Sequence, residues 1–149
     1  MSTVVCPTCV TASDRRFLPG PPAERAQVTC PEDALALVGP TLRGADREHC
    51  LLVGLDVRHR LLEVTTVSIG SAAHTFMGPR EIYRDALLMG ASAVFLAHNH
   101  PSGDPSPSAD DRRVTRRLAQ AGAAVGVELL DHLVLGDPEW VSLARTGVI

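Results

Sequence analysis

A short, entirely apolar segment, residues 93–97 (AVFLA), most constrains the fold of this chain. A strand with one face in water alternates apolar and polar residues, whereas a strand covered on both faces is apolar throughout. The segment therefore predicts a central strand in a sheet that carries helices on both faces. Gly90 precedes the segment, and a loop rich in proline and serine follows it, so turn residues bound the strand on both sides.

Hydrophobic periods and turn residues predict the other elements. Pro31 favours the first turn of a short helix, which Gly39-Pro40 is expected to end early. The apolar runs 50–55 and 61–69 predict an antiparallel hairpin. Helices are expected over 79–89 and 108–121, with strands over 125–135 and 140–143. This order predicts an α/β fold, with a mixed sheet packed between helices.

The length of 149 residues indicates one domain. The first residues differ from the rest, because a Cys6-Pro-Thr-Cys9 motif and a proline-glycine cluster replace any hydrophobic period there. We therefore expect an arm over residues 1–29 and a folded domain over residues 30–149.

Composition narrows the functional classes. With 45% hydrophobic and 21% charged residues the chain is ordinary globular protein, and its net charge of −3 is not that of a typical nucleic-acid binder. Aromatic residues make up only 3%, too few for a platform that stacks single-stranded bases. No apolar run approaches a membrane span and no signal peptide is visible, so we expect a soluble, cytoplasmic protein with no membrane partner.

Two histidines at the end of the central strand are the first candidate site residues. His98 and His100 are two positions apart, and side chains two apart on a strand point to the same side. Both imidazoles could therefore share one metal ion. Pro101 then interrupts the strand, and the loop turns toward the next helix.

Asp111 has two readings that the sequence alone leaves open. Ser108-x-x-Asp111 is a helix-start pattern, in which the carboxylate caps a backbone N–H, although Glu or Gln is more usual at that position. Alternatively, Asp111 is the third ligand beside the two histidines. Two histidines and one carboxylate leave a fourth position open on a tetrahedral Zn²⁺, which is typical of a catalytic site.

The whole segment matches His-x-His-Pro-x-Gly-x-x-x-Pro-Ser-x-x-Asp, from His98 to Asp111. This pattern resembles the JAMM signature of the MPN/JAB metalloprotease superfamily. The segments around 79–81, 96–103 and 130–133 resemble its RadC-type branch. The resemblance implies an MPN/JAB fold with a layered architecture like that of cytidine deaminases.

The resemblance also implies the chemistry. Zn²⁺ would bind His98, His100 and Asp111, and Glu48 would act as general base, with Glu63 as the competing candidate. Ser108 would donate a hydrogen bond to the oxyanion. The reaction would be hydrolysis of an amide bond by a metallopeptidase or isopeptidase, whose substrate is a protein or peptide, with a ubiquitin-like conjugate as one candidate.

Two other functions compete with hydrolysis. The RadC-type branch carries a DNA-repair label, so a nucleic-acid-binding accessory module is the alternative, and an inert scaffold is a third reading. A helix after the site offers basic residues that could steer an acidic partner, although a solvated helix face is favoured for them. These residues are Arg112, Arg113, Arg116 and Arg117.

The remaining polar residues have structural readings that we favour. We expect Asp104 in a turn, Asp110 at a solvated helix start, and Asp131 and His132 as strand residues whose hydrogen-bonding groups are satisfied. The alternative role, support of the metal ligands, applies to Asp104, Asp131 and His132. A structural zinc site is a less favoured hypothesis. Its ligands would be Cys6, Cys9 and Cys30, completed by His49 or Cys50.

Overall fold

The computed structural model describes residues 24–70 and 77–149. Its helices and strands follow the predicted order. They are α1 (Pro31–Leu42), β1 (His49–Leu55), β2 (Leu61–Ile69), α2 (Pro79–Leu88), β3 (Ala93–Asn99), α3 (Ala109–Val125), β4 (Glu128–Leu135) and β5 (Trp140–Ser142). Most of the predicted arm, including Cys6 and Cys9, lies outside the described residues.

The described strands form one mixed sheet in the order β2-β1-β3-β4-β5. The hairpin of β1 and β2 is antiparallel, as predicted. β3 lies in the middle, antiparallel to β1 and parallel to β4, and all seven of its residues are buried. The apolar segment therefore forms the central strand, as the sequence indicated.

Helices cover both faces of the sheet. Alternate residues of β1 and β3 accordingly belong to two different hydrophobic clusters, one on each face. Val53 and Phe95 pack with Val38 of α1 on one face. Leu52 and Leu96 pack on the other face, in the cluster that also holds Ile82 of α2 and Leu118 of α3. This confirms the predicted α/β architecture. His98 shares the parity of Leu96, so its side chain lies on the α2 and α3 side.

The helix α1 continues past the point where Gly39-Pro40 was expected to end it. Pro40 lacks a backbone N–H, but the helix runs to Leu42, where Arg43 N–H donates to Gly39 O at 2.9 Å. The buried Leu42 packs in the same layer as Val38. Burial of this last turn thus outweighs the hydrogen bond that proline removes.

The helix α3 is also longer than predicted, ending at Val125 rather than at residue 121, and β4 begins at Glu128 rather than at residue 125. The predicted end was too early, because the helix continues through Gly122. A Cβ there would overlap the Tyr83 hydroxyl and Val127 O, so glycine allows α3 to approach α2 closely. Gly126, at φ +75°, supplies the left-handed conformation that ends the helix. Among the described residues, no helix is long and apolar enough to cross a bilayer.

Candidate metal centre

His98 and His100 bring two ring nitrogens together at the end of β3. Their Nε2 atoms lie 3.0 Å apart, which agrees with the strand alternation predicted from the sequence. His98 is fully buried, whereas the side chain of His100 keeps 15% of its surface exposed. The two histidines therefore extend from the buried part of the sheet to its solvent-exposed end.

Asp111 forms the predicted cap, and its position is compatible with the metal-ligand interpretation as well. It is the third residue of α3 and forms a capping box with Ser108, whose backbone N–H donates to Asp111 Oδ2 at 2.7 Å. The same carboxylate faces the imidazoles, because Oδ1 lies 3.3 Å from His98 Nε2 and Oδ2 lies 3.5 Å from His100 Nε2. The cap therefore orients the carboxylate toward the histidines.

The donor set fits a Zn²⁺ ion. One ligand atom from each of His98, His100 and Asp111 can be chosen so that all three lie within 4.8 Å of one another. Ligands about 2.0 Å from zinc and at tetrahedral angles lie roughly 3.3 Å apart, which is close to the separations in this cluster. His100 Nδ1 lies 2.8 Å from the carbonyl oxygen of Asp104, to which it donates, so His100 Nε2 is left to accept. Nitrogen lone pairs and a carboxylate that converge in this way favour a cation between them.

The electrostatics of the cluster point the same way. Burial lowers the pKa of His98 to about 4, so this imidazole is neutral near pH 7. Burial raises the pKa of Asp111, but the hydrogen bonds with His100 and Ser108 lower it by more, so the pKa of this carboxyl lies below its usual value. The site therefore presents a neutral nitrogen at His98 and an anionic oxygen at Asp111, the forms that bind a metal ion, whereas the hydrogen bond with Asp111 raises the pKa of His100, which has to release any proton on Nε2 to bind a metal ion.

A cleft of about 1410 Å³ opens on this cluster, and Glu48 lines it together with His100, Ser108 and Asp111. Glu48 precedes β1 and is 9% exposed, and its charge helps to raise the pKa of His100, after the larger effect of the hydrogen bond with Asp111. Further residues of the cleft wall are Ser68, Ile69, Met77, Pro79, Arg80, Pro101, Val114 and Arg117.

The structure separates the two glutamates that competed for the role of base. β1 pairs Cys50 with His98, so Glu48 lies at the histidine end of the sheet. Glu63 pairs with Gly54, four residues further along β1. This places Glu63 roughly 13 Å away along the strand. Of these two glutamates, only Glu48 lines the cleft with His100.

Asn99 clamps the backbone on both sides of Glu48. Its Nδ2 donates to Arg47 O at 2.9 Å, and its Oδ1 accepts from His49 N–H at 2.7 Å. Asn99 is 3% exposed and lies between the two histidines on the opposite face of β3. One face of β3 thus positions the two histidines, and the opposite face positions Glu48 through Asn99. The sequence analysis missed Asn99, although alternation along β3 signals that its side chain opposes the histidines.

Ser108 has its hydroxyl occupied by the cap. The Oγ accepts from Asp111 N–H at 3.0 Å and donates to Asp111 Oδ2 at 2.7 Å. Because Ser108 also lines the cleft, its hydroxyl can turn from the carboxylate toward a ligand in the cleft. Its role as an oxyanion donor remains a prediction.

His132 and Thr115 lie behind the metal ligands. His132, in β4, is fully buried, and its Nε2 lies 2.7 Å from His98 Nδ1. Thr115 Oγ1 lies 2.6 Å from His132 Nδ1. His132 is a satisfied strand residue, as expected, but one of its partners is His98. The sequence analysis missed Thr115, which the i, i+4 spacing from Asp111 on α3 could have indicated.

The other polar residues have mainly structural contacts. Asp104 Oδ1 accepts from Ser106 N–H at 2.9 Å in a turn, as expected. Asp110 is exposed and pairs with Arg113 at 2.8 Å, which agrees with a solvated helix start. Asp131 is buried and accepts from His132 N–H and Ser142 Oγ.

The cysteines give the structural zinc hypothesis no described ligand set. Cys50 belongs to the apolar cluster on the α2 and α3 face, and burial raises the pKa of its thiol far above the ordinary value. Cys30 caps α1. Since Cys6 and Cys9 lie outside the described residues, the hypothesis stays a prediction.

Comparisons with known proteins agree with this geometry. Residues 28–148 match the profile of a family described as the RadC-like JAB domain. A UPF0758 protein of Desulfitobacterium hafniense is 38% identical over 135 residues, which cover 91% of this chain and 60% of that protein. A UPF0758 protein of Desulforamulus reducens is 41% identical over 135 residues, with the same coverage of 91% and 60%. The chain thus spans about 60% of the length of these curated relatives.

Proposed function

Because the chain belongs to the RadC-like JAB domain family, we propose that it is a zinc-dependent hydrolase of peptide or isopeptide bonds. The observation that carries this proposal is that ligand atoms of His98, His100 and Asp111 lie within 4.8 Å of one another, beside a cleft that His100 and Asp111 line. A fourth residue, Glu48, lines the same cleft and offers a carboxylate. Three protein ligands with a neighbouring base are typical of catalytic rather than structural zinc sites.

Zn²⁺ bound by the three ligands would lower the pKa of a coordinated water from 15.7 to about 7. Glu48 accepts the proton of the attacking water and returns it to the leaving amine. Such general acid-base transfer typically contributes about 10²–10⁴-fold to the rate. Asn99 supports this role, because its hydrogen bonds to Arg47 O and His49 N–H hold the backbone of Glu48 in place.

Ser108 donates to the carbonyl oxygen of the substrate as negative charge develops there. The capping box fixes the position of its Oγ at the edge of the cleft. A donor held in place before the reaction stabilises the oxyanion without reorganisation. The hydroxyl proton turns away from Asp111 Oδ2 when a substrate is present.

The cleft supports a substrate that is a protein or peptide. Its volume of about 1410 Å³ exceeds that of most small-molecule pockets, roughly 300–1,000 Å³. Apolar wall residues such as Ile69 and Val114 can contact side chains on either side of the scissile bond. A conjugate of a ubiquitin-like protein is one substrate of this class to test.

Metal analysis of the purified protein provides the first test. We expect about one Zn²⁺ per chain, lost in His98→Ala and in His100→Ala. His59→Asn is the matched control, since it removes a histidine in the β1–β2 turn, at φ 56°, where asparagine is tolerated. Zinc retained in both alanine variants would contradict the proposed ligands.

A substrate screen tests the reaction itself. Peptides and conjugates are incubated with the zinc-loaded protein and with Glu48→Gln, which removes the base but none of the ligands. Cleavage by the parent, lost in Glu48→Gln with zinc still bound, supports the proposal, and equal cleavage by both proteins contradicts it. The nucleic-acid alternative makes the opposite prediction. Salt-dependent DNA binding would persist in Glu48→Gln and disappear when the four arginines of α3 are neutralised.

A further inference from the structure

A buried chain of hydrogen bonds connects two of the proposed ligands behind the metal centre. Thr115 Oγ1 lies 2.6 Å from the backbone oxygen of Asp111 and 2.6 Å from His132 Nδ1. His132 Nε2 lies 2.7 Å from His98 Nδ1. Three of these side chains are fully buried, those of Thr115, His132 and His98. Their donors and acceptors must therefore pair with one another along this row of hydrogen bonds.

The order of the protons along this chain follows from its fixed end. The Asp111 carbonyl can only accept, and a hydroxyl oxygen 2.6 Å away is attractive only if its proton lies between the two oxygens. Thr115 therefore donates to Asp111 and accepts from His132 Nδ1–H. A neutral His132 then has an unprotonated Nε2, which accepts from His98 Nδ1–H.

We propose that His132 and Thr115 are positioning residues, which hold His98 in the tautomer with the proton on Nδ1. His98 Nε2 then carries its lone pair toward His100 and Asp111 before a metal ion arrives. The inference rests on the metal site of the proposed function, but it concerns residues that touch neither the ion nor the cleft.

The two histidine ligands are thus oriented by different means. His100 donates its Nδ1 proton to the backbone carbonyl of Asp104 in the loop after β3. His98 donates to a side chain of β4, which is oriented in turn by a residue of α3. The pairing of Leu96 with His132 in the parallel register of β3 and β4 brings the two strands into this alignment. A defect in His132 should therefore reach the metal site through His98, whereas a defect in Thr115 also removes its hydrogen bond to the backbone of Asp111.

NMR of the metal-free protein tests the tautomer directly. In protein labelled with ¹⁵N, near pH 7.5, we expect the His98 ring to show a protonated Nδ1 and an unprotonated Nε2. In Thr115→Val the acceptor for His132 Nδ1–H is lost, so we expect the proton of His132 to move to Nε2 and that of His98 to follow to Nε2. An Nε2–H tautomer of His98 in the parent protein would overturn the proposal.

Zinc affinity supplies the second readout, measured by competition of Zn²⁺ with a chromophoric chelator. Loss of a residue that orients a metal-bound histidine typically weakens metal binding by about 10–100-fold. We expect a loss of this size in His132→Leu and in Thr115→Val. His132→Gln places an amide oxygen near the position of Nε2 and should recover much of the affinity.

Tyr83→Phe is the matched control for Thr115→Val. This substitution also removes a buried hydroxyl, which donates to Leu118 O of α3 at 2.6 Å. Tyr83, however, is not part of the row of hydrogen bonds from Asp111 to His98. We expect this variant to lose stability without losing zinc affinity. Parental affinity in folded His132→Leu would overturn the proposal. If the parent protein binds no zinc, the proposed function fails, while the NMR result on the metal-free protein still decides the inference.

Discussion

Replacing Gly136 by alanine should disturb the candidate metal centre, although Gly136 is not one of the candidate ligands. Gly136 follows β4 and packs against the loop that holds His100. A Cβ at this position would lie 2.8 Å from Pro105 Cδ and overlap Gly103 O. Ordinary carbon contacts begin near 3.5 Å, so the loop would have to move by roughly 1 Å.

The magnitude follows from what this movement breaks. Overpacking typically costs about 1–3 kcal/mol, and the hydrogen bond from Asp137 N–H to Gly103 O, now 3.1 Å long, would be lost for about 1 kcal/mol more. We therefore expect the free energy of unfolding to fall by about 2–4 kcal/mol. The carbonyl of Asp104, which orients His100, belongs to the same loop, so zinc binding should weaken as well.

Urea denaturation of the metal-free protein and chelator competition for Zn²⁺ measure the two effects. Gly39→Ala is the control, because the nearest atom to its new Cβ is Arg43 Nε at 3.7 Å. Alanine is the better helix former, but the ring of Pro40 disfavours a Cβ on the preceding helical residue, so the two effects oppose each other and we expect a change of at most about 1 kcal/mol. If Gly136→Ala unfolds at the parental urea concentration and binds zinc as tightly as the parent, the contact between the loop and Gly136 does not support the site.

Two further substitutions test contacts at the edges of the site and of the fold. Asn99→Asp sets a carboxylate oxygen against Arg47 O, so we expect a loss of about 1–3 kcal/mol in the free energy of unfolding at pH 7; an unchanged urea midpoint would contradict the clamp. Arg145 hydrogen-bonds Glu32 and thereby lowers the pKa of that exposed carboxyl to about 2. In Arg145→Ala the pKa of Glu32, followed by NMR, should rise toward 4.5, and a pKa that stays near 2 would refute the pairing. Any stability that the pair contributes to the parent is present above pH 4.5 and is lost as the pH falls toward 2. This pH-dependent contribution should be absent in the variant.

Local rules made His98, His100 and Asp111 candidate ligands, and the family resemblance decided between the two interpretations of Asp111. Strand alternation brings His98 and His100 to one side, and a helix cap fixes the direction of Asp111. Neither rule needs knowledge of distant residues. Glu48 was preferred over Glu63 by resemblance and by its place before β1, and the pairing of β1 with β3 puts it in the cleft.

The misjudged features all depend on contacts distant in sequence. The helix α3 was expected to end at residue 121, but it continues through Gly122, against which Tyr83 of α2 packs. The contact of His132 with His98 depends on the register of two parallel strands, which one sequence does not specify. Thr115 and Asn99 are ordinary polar residues by composition, and their partners become known only when helix and strands are assembled.

The parallel strands β3 and β4, which α3 connects, determine which segments of the chain contribute to the candidate centre. The three candidate ligands and both of the residues behind them come from one continuous βαβ stretch, whereas Glu48 precedes the hairpin and is held through Asn99. Under the proposed function, metal binding and proton transfer therefore belong to separate segments of the chain. Substitutions around the hairpin would then abolish hydrolysis and leave metal binding intact.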